Sequence, residues 1–297
     1  MILSGSANQH LAHELAAALD EPVLPLTYRR FADGELIVEV DPSGTLPARV
    51  QLDSNGFALD GRAIVVGSTL DDRSHLELLQ LQDLAREGGA SSVVTVVPYL
   101  GYARQDVAHD PGQPVSARTM LRSLSASTDR ILTVNPHEEA VLDYAAVAAT
   151  SVSAVGSLGA GLAIETDDPL IVAPDAGAKS LATELRDIVG RGSADHLEKE
   201  RIDDTTVEIS VSDTDASGRE VVLVDDEIST GGTMATAAGA LLDQGAATVQ
   251  AACVHPLLVG GATTRLYRAG IDRVVATDTI ERQVSVVTAA TAIADEL

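Results

Sequence analysis

Short apolar runs alternate with stretches of helical periodicity along most of the chain. Runs that are apolar throughout are typical of strands buried on both faces, so the pattern predicts an α/β protein whose sheets are mainly parallel. The predicted strands comprise residues 63–66, 93–97, 130–134, 170–173, 221–224 and 249–254. The predicted helices comprise residues 8–19, 74–86, 116–125, 178–188, 233–243 and 263–268.

Two pairs of similar segments indicate an internal duplication. They are residues 88–94 with 244–250, and residues 128–132 with 271–275. Each segment leads from a helix into a strand, although matches this short also arise between unrelated βα units. We interpret them as parts of two related domains. The distance along the chain between the two members of a pair differs from one pair to the other, which predicts an insertion in the first half near 101–115. The predicted domains are 1–147, 148–282 and a C-terminal helix at 283–297 that packs back on the first domain.

The predicted strand at 221–224 leads into the most informative segment of the chain. Asp225 and Asp226 stand at its carboxyl end, where carboxylates can accept hydrogen bonds from ribose hydroxyls. A loop of small residues then precedes a helix, and backbone N–H groups at such a position bind phosphate. The loop consists of Ser229, Thr230, Gly231, Gly232 and Thr233. The segment predicts a sugar-phosphate site; the alternative is that its acidic residues only cap the helix.

The composition is strongly acidic, with 44 Asp and Glu against 20 Lys and Arg and a net charge of -24. This charge argues against binding to nucleic acid or to anionic membranes, because both are polyanions. The acidic residues are dispersed, lysine occurs only at Lys179 and Lys199, and aromatic residues make up 2% of the chain. We hypothesise from this combination that the surface is adapted to a very salty cytoplasm.

Other bounds on the protein come from its length and its cysteine. The 297 residues, 45% of them hydrophobic, are enough for two domains. The sequence shows no apolar run long enough to cross a membrane and no basic region of a secretory signal. The single cysteine, Cys253, excludes an internal disulfide and lies in an apolar run that predicts burial. These observations predict a cytoplasmic enzyme or binding protein.

Three further polar segments follow predicted strands, where ligands of open α/β sheets bind. Asp175 could bind a magnesium–phosphate ligand or simply cap the next helix. Arg104 could bind phosphate and Gln105 a base or ribose, the alternative being a structural turn with an ion pair. His137 could bind a metal ion, although a packing or hydrogen-bonding role is more common for a single histidine.

Two other segments carry candidate residues. Phe31 could stack on an aromatic base, although a lone phenylalanine is more often part of a core. Lys199 and Arg201 are two residues apart, so in a strand both side chains would lie on the same side. Two cations on one face can stabilise charge on a transferring phosphoryl group, whereas a solvated run of charges is the usual alternative.

Taken in order, these segments resemble the ribose-phosphate diphosphokinase (phosphoribosyl pyrophosphate synthetase) family. The likeness extends from Phe31 to Asp278 and is greatest to the archaeal branch, as in Asn-Pro-His-Glu around His137 and Leu-Glu-Lys at Lys199. The sugar-phosphate segment alone is shared with phosphoribosyltransferases, so it is the ordered set that carries the resemblance. It implies two related domains of the type I phosphoribosyltransferase fold, each a mainly parallel sheet flanked by helices.

The resemblance also implies a transferase of nucleotide biosynthesis. Such a kinase moves the β,γ-diphosphate of ATP to the 1-hydroxyl of ribose 5-phosphate, which gives 5-phosphoribose 1-diphosphate and AMP. Mg2+ is the implied cofactor. A homo-oligomer is implied because family members take the adenine-contacting loop from a neighbouring subunit.

The roles that the resemblance implies fall into four groups. The residues for ATP are Phe31, Asp33, Gly34, Glu35, Arg104 and Gln105. The residues for ribose 5-phosphate are Arg201, Asp225, Asp226, Ser229, Thr230, Gly231, Gly232 and Thr233. The metal-binding residues are His137 and Asp175, and the residues of the catalytic loop are Lys199 and Arg201.

Three features depart from the family pattern. The residues after Asp106 are not basic as in many members, which argues against effector binding there. Glu227 replaces a residue that is usually apolar, and residues 46–60 form a longer connection, predicted to be a surface insertion. Two alternatives remain: a type I phosphoribosyltransferase, which would need only one such domain, and a non-catalytic regulatory paralogue.

Overall fold

The computed structural model describes residues 1–53, 56–201, 207–210 and 215–297, and at 199–201 and 207–210 it describes the backbone only. The chain forms two compact units. Unit 1 consists of Met1–Ser153, Thr279–Glu281 and Thr288–Leu297, and unit 2 consists of Ala154–Asp278 and Arg282–Val287. The C-terminal part of the chain therefore contributes to both units.

Unit 1 is built on a parallel sheet. Its elements before the unit boundary are β1 (Ile2–Ser4), α1 (Gln9–Leu19), β2 (Leu26–Arg30), β3 (Leu36–Val40), β4 (Val50–Asp53), β5 (Gly56–Leu59), β6 (Arg62–Val66), α2 (Asp72–Glu87), β7 (Ser92–Val97), α3 (Ser116–Leu124), β8 (Arg130–Val134) and β9 (Ala148–Val152). Five strands form the sheet in the order β1-β6-β7-β8-β9, all parallel. The other four form two antiparallel hairpins, β2-β3 and β4-β5.

Unit 2 repeats this plan. Its elements are α4 (Val155–Gly161), β10 (Leu170–Ala173), α5 (Lys179–Val189), β11 (Ser193–His196), β12 (Glu198–Arg201), β13 (Val207–Ser210), β14 (Glu220–Glu227), α6 (Gly232–Asp243), β15 (Thr248–His255), α7 (Ala262–Arg268), β16 (Arg273–Thr277) and β17 (Ser285–Val287). Six strands form a parallel sheet in the order β11-β10-β14-β15-β16-β17, and β12 pairs with β13 as an antiparallel hairpin.

The two sheets share a strand order, as the predicted duplication requires. The series β1-β6-β7-β8-β9 in unit 1 corresponds to β10-β14-β15-β16-β17 in unit 2. The connection from β7 to β8 covers 98–129, whereas that from β15 to β16 covers only 256–272. The extra length includes an irregular stretch before α3, so the insertion predicted near 101–115 is confirmed.

All the predicted strands and helices are present; β8 and β10 have the predicted ends, and the ends of the others are shifted. The largest shift is in β14, which continues through Asp225 and Asp226 to Glu227. The polar end of the strand remains in the sheet because its backbone still pairs with β15, Glu227 opposite His255. Backbone pairing does not depend on side-chain polarity, so a rule based on apolar runs ends the strand too early.

The short outer strands and the hairpins were not predicted. Strand β2, for example, is partly or fully exposed along its whole length and so lacks an apolar run. The segment 46–60, expected to be a surface insertion, contains the hairpin β4-β5. Val50 and Leu59 at the base of that hairpin are buried in the core of unit 1. The insertion is therefore anchored to the core by apolar side chains.

Two C-terminal segments complete unit 1. The last helix, α8 (Ala290–Ala294), packs against α1. Glu281 accepts hydrogen bonds from the first amides of α1, including that of His10 at 2.7 Å. Thr279 accepts one from Ser68 Oγ at 2.7 Å. Residues from the far end of the chain therefore hold α1 and the segment after β6 in unit 1.

Two further sequence-based expectations concern Cys253 and membrane-spanning segments. Cys253 is fully buried in β15, as its apolar surroundings predicted. Within the described part of the chain, the helices lack the length and the apolar content that crossing a membrane requires.

Candidate functional site

The carboxyl ends of β10 and β14 lie side by side in the sheet of unit 2. The two strands are parallel neighbours, with Leu170 opposite Val221. Asp175 follows β10, and its Oδ1 accepts a hydrogen bond from Gly177 N at 2.9 Å, which caps a short 3-10 turn. The capping role considered for Asp175 is therefore present. The turn also places the carboxylate at the same edge of the sheet as the polar end of β14.

The acidic pair at the end of β14 is held by its own backbone. Asp225 Oδ1 accepts a hydrogen bond from Asp226 N at 3.0 Å, and Asp226 Oδ1 accepts one from Glu227 N at 2.8 Å. The pKa of Asp225 is raised to about 8 by burial first, then by the charge of Asp226 and, less strongly, by that of Asp175. Three carboxylates converge here, so this edge has a surplus of negative charge that hydroxyl donors or a cation would relieve.

The 229–233 loop follows directly and opens α6. In the part of the chain that the structure describes, the N–H groups of these five residues donate no hydrogen bond. Gly231 has φ 74°, and a Cβ there would lie 3.3 Å from Leu266 Cδ2. Glycine is therefore required by both the backbone and the packing. Unpartnered amides at the start of a 12-residue helix have the geometry that can bind an anion.

Arg104 and Gln105 lie after β7 in unit 1, with both side chains exposed. Gln105 N donates to Tyr102 O at 2.8 Å, and Gln105 O accepts from Ala117 N at 3.2 Å at the start of α3. The turn before them packs closely, since a Cβ on Gly101 would lie 2.1 Å from Thr69 O. The turn thus presents the guanidinium and the amide to solvent at the carboxyl edge of the sheet.

Phe31, Asp33, Gly34 and Glu35 form the tip of the hairpin β2-β3. Phe31 N donates to Glu35 O at 2.8 Å, and Glu35 N donates to Asp33 Oδ1 at 3.1 Å. Phe31 is 43% exposed, with the guanidinium of Arg29 at 4.6 Å from its ring centroid. Phe31 is therefore a surface aromatic residue rather than a core residue.

His137 lies in a turn after β8 and is exposed. The turn begins at Asn135, which has φ 34° and whose N donates to Val152 O at 3.0 Å. His137 and Asp175 belong to different units, so the structure of one unit alone does not unite them.

Lys199 and Arg201 lie in β12, opposite Ile209 and Val207 of β13. The backbone places both residues in a strand, which is the condition under which their spacing puts them on the same side. Their side chains lie outside the described part of the structure, so the common face follows from strand geometry alone.

One contact of the 229–233 loop was missed by the sequence analysis. Arg265, on α7, donates from Nη1 to the carbonyl oxygen of Thr230. An arginine among polar residues of a helix looks like an ordinary surface charge, and nothing in its spacing indicates that it reaches another loop. The glycine-rich loop itself was the only available signal that a neighbouring element must support it.

The fold and the polar strand ends define a protein of the phosphoribosyltransferase class with two domains. A family model described as the "N-terminal domain of ribose phosphate pyrophosphokinase" matches residues 1–127. A second, described as the "Phosphoribosyl transferase domain", matches residues 151–289. Together the two models cover most of the chain.

Curated relatives match over essentially the whole length. A ribose-phosphate pyrophosphokinase of Halobacterium salinarum is 49% identical over 298 residues and covers 100% of both chains. One of Methanopyrus kandleri is 42% identical over 99% of this chain and 97% of its own. A crystal structure of phosphoribosylpyrophosphate synthetase from Mycobacterium smegmatis superposes with a TM-score of 0.81 at 27% identity, covering 100% of this chain and 96% of that one.

The chain belongs to the ribose-phosphate pyrophosphokinase family and is an enzyme of that family. The resemblance inferred from the ordered motifs is confirmed, including its archaeal character. The two-domain α/β fold with parallel sheets is confirmed as well.

Proposed function

We propose that the enzyme transfers the β,γ-diphosphate of ATP to the 1-hydroxyl of ribose 5-phosphate, which forms 5-phosphoribose 1-diphosphate and AMP. The observation that carries the proposal is the anion site of unit 2, where the 229–233 loop with its unpartnered amides lies beside Asp225 and Asp226. It occurs in a chain whose first half matches the N-terminal domain of a pyrophosphokinase.

The sugar phosphate fits this site by complementary hydrogen bonding. The loop amides donate to the 5-phosphate, and Asp225 and Asp226 accept from the ribose hydroxyls. Arg201 would add a positive charge to the phosphate group. The raised pKa of Asp225 fits this role, because a hydroxyl donor stabilises the ionised form that the empty site disfavours. Binding at these two ends leaves the 1-hydroxyl as the position that can react.

The donor nucleotide is assigned to unit 1 and to a second subunit. Arg104 would bind the phosphates and Gln105 the nucleoside. The exposed Phe31 would stack on adenine, with Asp33, Gly34 and Glu35 contacting the base from a neighbouring copy. A hairpin that exposes an aromatic residue at its tip suits a site that is completed between subunits, so we propose a homo-oligomer, at least a dimer.

Asp175 and His137 are the proposed Mg2+ ligands. The electrostatics of unit 2 fit a divalent cation, because Asp175 adds to the negative charge that raises the pKa of Asp225. Carboxylate oxygens are also the ligands that Mg2+ prefers in proteins. When bound, the ion would neutralise charge on the diphosphate of the donor.

Lys199 and Arg201 are the proposed catalytic cations. Transfer at the β-phosphorus places two anionic substrates in line, so positioning and neutralisation of charge dominate the catalysis. Alternate positions of β12 place both residues on one side of the hairpin β12-β13. A hairpin that moved over the substrates would also exclude water, which could otherwise hydrolyse ATP.

The surroundings of the enzyme are part of the proposal. The net charge of -24 repels both substrates, and high salt would screen that repulsion. The proposed protein is cytoplasmic and adapted to salt, and the salt adaptation is supported by the strong acidity and by a full-length relative from Halobacterium salinarum. Neither nucleic acid nor a membrane is a partner in this proposal. The sequence-based domains 1–147 and 148–282, with a returning segment at 283–297, remain part of the proposal; within that segment β17 belongs to the sheet of unit 2 and α8 is the helix that belongs to unit 1.

A coupled assay tests the reaction. ATP, ribose 5-phosphate and Mg2+ at several molar potassium chloride should yield AMP and 5-phosphoribose 1-diphosphate in equal amounts. A phosphoribosyltransferase would form no AMP from these substrates and would instead consume 5-phosphoribose 1-diphosphate with a base. A non-catalytic paralogue would bind the nucleotide without turnover. Either result would refute the proposed function.

A further inference from the structure

Two consecutive carbonyl groups at the start of the 229–233 loop face the segment that connects β15 to α7. Leu258 N donates to Ile228 O at 2.9 Å, and Val259 N donates to Ser229 O at 3.0 Å. Both bonds join backbone atoms, so they depend on the path of the chain rather than on side chains. They hold one side of the loop against the connecting segment.

A third carbonyl group in the same series is held by a side chain. Arg265 Nη1 donates to Thr230 O from α7. The same helix also contacts the next residue of the loop, since Leu266 would touch a Cβ placed on Gly231. Helix α7 therefore lies against the 229–233 loop, and Arg265 makes the hydrogen bond between them.

The direction of these carbonyl groups determines the direction of the amides. In a trans peptide the C=O and the following N–H point in opposite directions, and the described peptide bonds include no cis bond. The three carbonyl groups are turned towards α7 and the segment that precedes it, so the amides of Ser229, Thr230 and Gly231 point away from both. Those amides have no acceptor in the described part of the chain, so they converge on the side open to a ligand.

We propose that Arg265 is a positioning residue for the sugar-phosphate site. Its guanidinium holds the Thr230–Gly231 peptide so that Gly231 N–H faces the 5-phosphate and Thr230 O faces away. The inference rests on the proposed function for the identity of the ligand, and on the hydrogen bonds alone for the arrangement of the loop.

Two physical effects follow from this contact. A charged donor at the carbonyl oxygen polarises the peptide, which makes Gly231 N–H a stronger donor to an anion. Glycine tolerates rotation of the preceding peptide, so without Arg265 the carbonyl oxygen can turn towards the phosphate and repel it. Arg265 would thus act on sugar-phosphate affinity without touching the substrate.

The test compares Arg265→Ala with Arg265→Lys and with a matched control, Arg268→Ala. Arg268 lies three residues further along the same helix and is exposed, and its side chain makes no hydrogen bond or ion pair in the described part of the structure. We expect Arg265→Ala to raise the KM and the Kd for ribose 5-phosphate about tenfold, equivalent to about 1.4 kcal/mol. The kcat and the KM for ATP should stay within about twofold.

The conservative variant and amide exchange separate positioning from general stability. Arg265→Lys keeps the charge but not the planar donor group, so it should give an intermediate affinity. Amide hydrogen exchange at Leu258 and Val259, which hold the same side of the loop, should become faster in Arg265→Ala and stay unchanged in Arg268→Ala.

The proposal is overturned by any of three results. In the first, Arg265→Ala and Arg268→Ala have equal affinity for ribose 5-phosphate and equal exchange at the two amides. In the second, affinity for ATP falls in parallel with that for the sugar phosphate, which indicates a general defect. In the third, Arg265→Lys has the same thermal stability as Arg265→Ala but binds the sugar phosphate as tightly as the parent. Affinity would then not depend on the contact that Arg265 makes.

The outcome is distinguishable from failure of the proposed function. If the parent binds no ribose 5-phosphate, the assignment of the ligand fails. The exchange comparison then still decides the role of Arg265, because faster exchange in Arg265→Ala supports it and equal exchange overturns it. If Arg265→Ala does not fold, Arg265→Lys and the control provide the same comparison.

Discussion

Replacing Asp225 with asparagine should stabilise the ligand-free enzyme while removing its affinity for the sugar phosphate. Asparagine keeps the acceptor that Asp225 Oδ1 offers to Asp226 N, so the geometry of β14 is retained. The change removes a carboxylate that burial and the charges of Asp226 and Asp175 make difficult to ionise. Carboxylates that are ionised to bind ribose hydroxyls therefore lower the folding stability of the enzyme when the site is empty.

The magnitude follows from the pKa of Asp225, which rises from 3.8 to about 8 on folding. At neutral pH the corresponding cost has an upper limit of about 4 kcal/mol. Solvent near this half-buried group lowers the cost, and asparagine itself loses some hydrogen bonding, so we expect a net gain of about 1–2 kcal/mol. That corresponds to a rise in Tm of about 2–6 °C for a chain of this size.

The pH dependence gives the sign of the effect. Between pH 3.8 and about 8 the folded state binds the proton of Asp225 more tightly than the unfolded state does. The stability of the parent therefore falls as the pH rises through this range, and the advantage of Asp225→Asn grows with it. The gain should be smallest at the acidic end of the range and reach its full value above the raised pKa of Asp225.

Thermal unfolding without Mg2+ or sugar phosphate, in several molar potassium chloride, measures this difference. The control is Asp272→Asn, because Asp272 is exposed and its side chain makes no hydrogen bond in the described part of the chain. The reasoning would be refuted by an Asp225→Asn variant that is no more stable than the parent above the raised pKa. A gain that does not change with pH would refute it equally.

Three further predictions concern the loop, the cations and the salt. Gly231→Ala should lower the free energy of unfolding by about 1–2 kcal/mol, because alanine is strained at this positive φ and its Cβ crowds Leu266. Gly232→Ala should lower it less, because a Cβ there has no neighbour closer than 3.8 Å. Equal losses of stability in denaturant titrations would contradict this expectation. Lys199→Ala should lower kcat about 100-fold or more in the coupled assay, against little change for Arg268→Ala, and turnover within a few-fold of the parent would exclude a catalytic role. Dialysis into dilute buffer should unfold the enzyme, and added potassium chloride should restore the fold. The salt screens the repulsion between acidic side chains, since the screening length is only about 3 Å at 1 M salt. A fully folded protein in dilute buffer, measured by circular dichroism, would disprove the halophilic hypothesis.

The candidate site was largely predictable because its residues follow apolar runs. Asp175, Asp225 and the 229–233 loop all lie within a few residues of the ends of the apolar runs 170–173 and 221–224. In a parallel sheet the carboxyl ends of neighbouring strands meet at one edge, so position along the sequence already predicts proximity. The resemblance to a known family added the roles, and the comparisons confirm the family.

The parts that sequence reasoning missed depend on contacts between distant residues. The last residues of β14 belong to the sheet because β15 pairs with them, which their own polar side chains do not reveal. The hairpin strand β2 is partly or fully exposed along its length and carries no apolar run, and its partner β3 has only the three-residue run that begins at Leu36. The contact of Arg265 with Thr230 joins two elements of unit 2 across 35 residues and leaves no local pattern.

The sequence by itself determined the layered α/β class, the duplication, the chemistry at the strand ends and the family, because each depends on local periodicity or on ordered motifs. Only the tertiary structure decided the pKa of Asp225 and the orientation of the 229–233 amides. The pKa depends on burial and on charges brought together from separate strands. The amide orientation depends on where Leu258, Val259 and Arg265 donate their hydrogen bonds. Electrostatic energy and hydrogen-bond direction are properties of distances in space, and these arise only when the chain is folded.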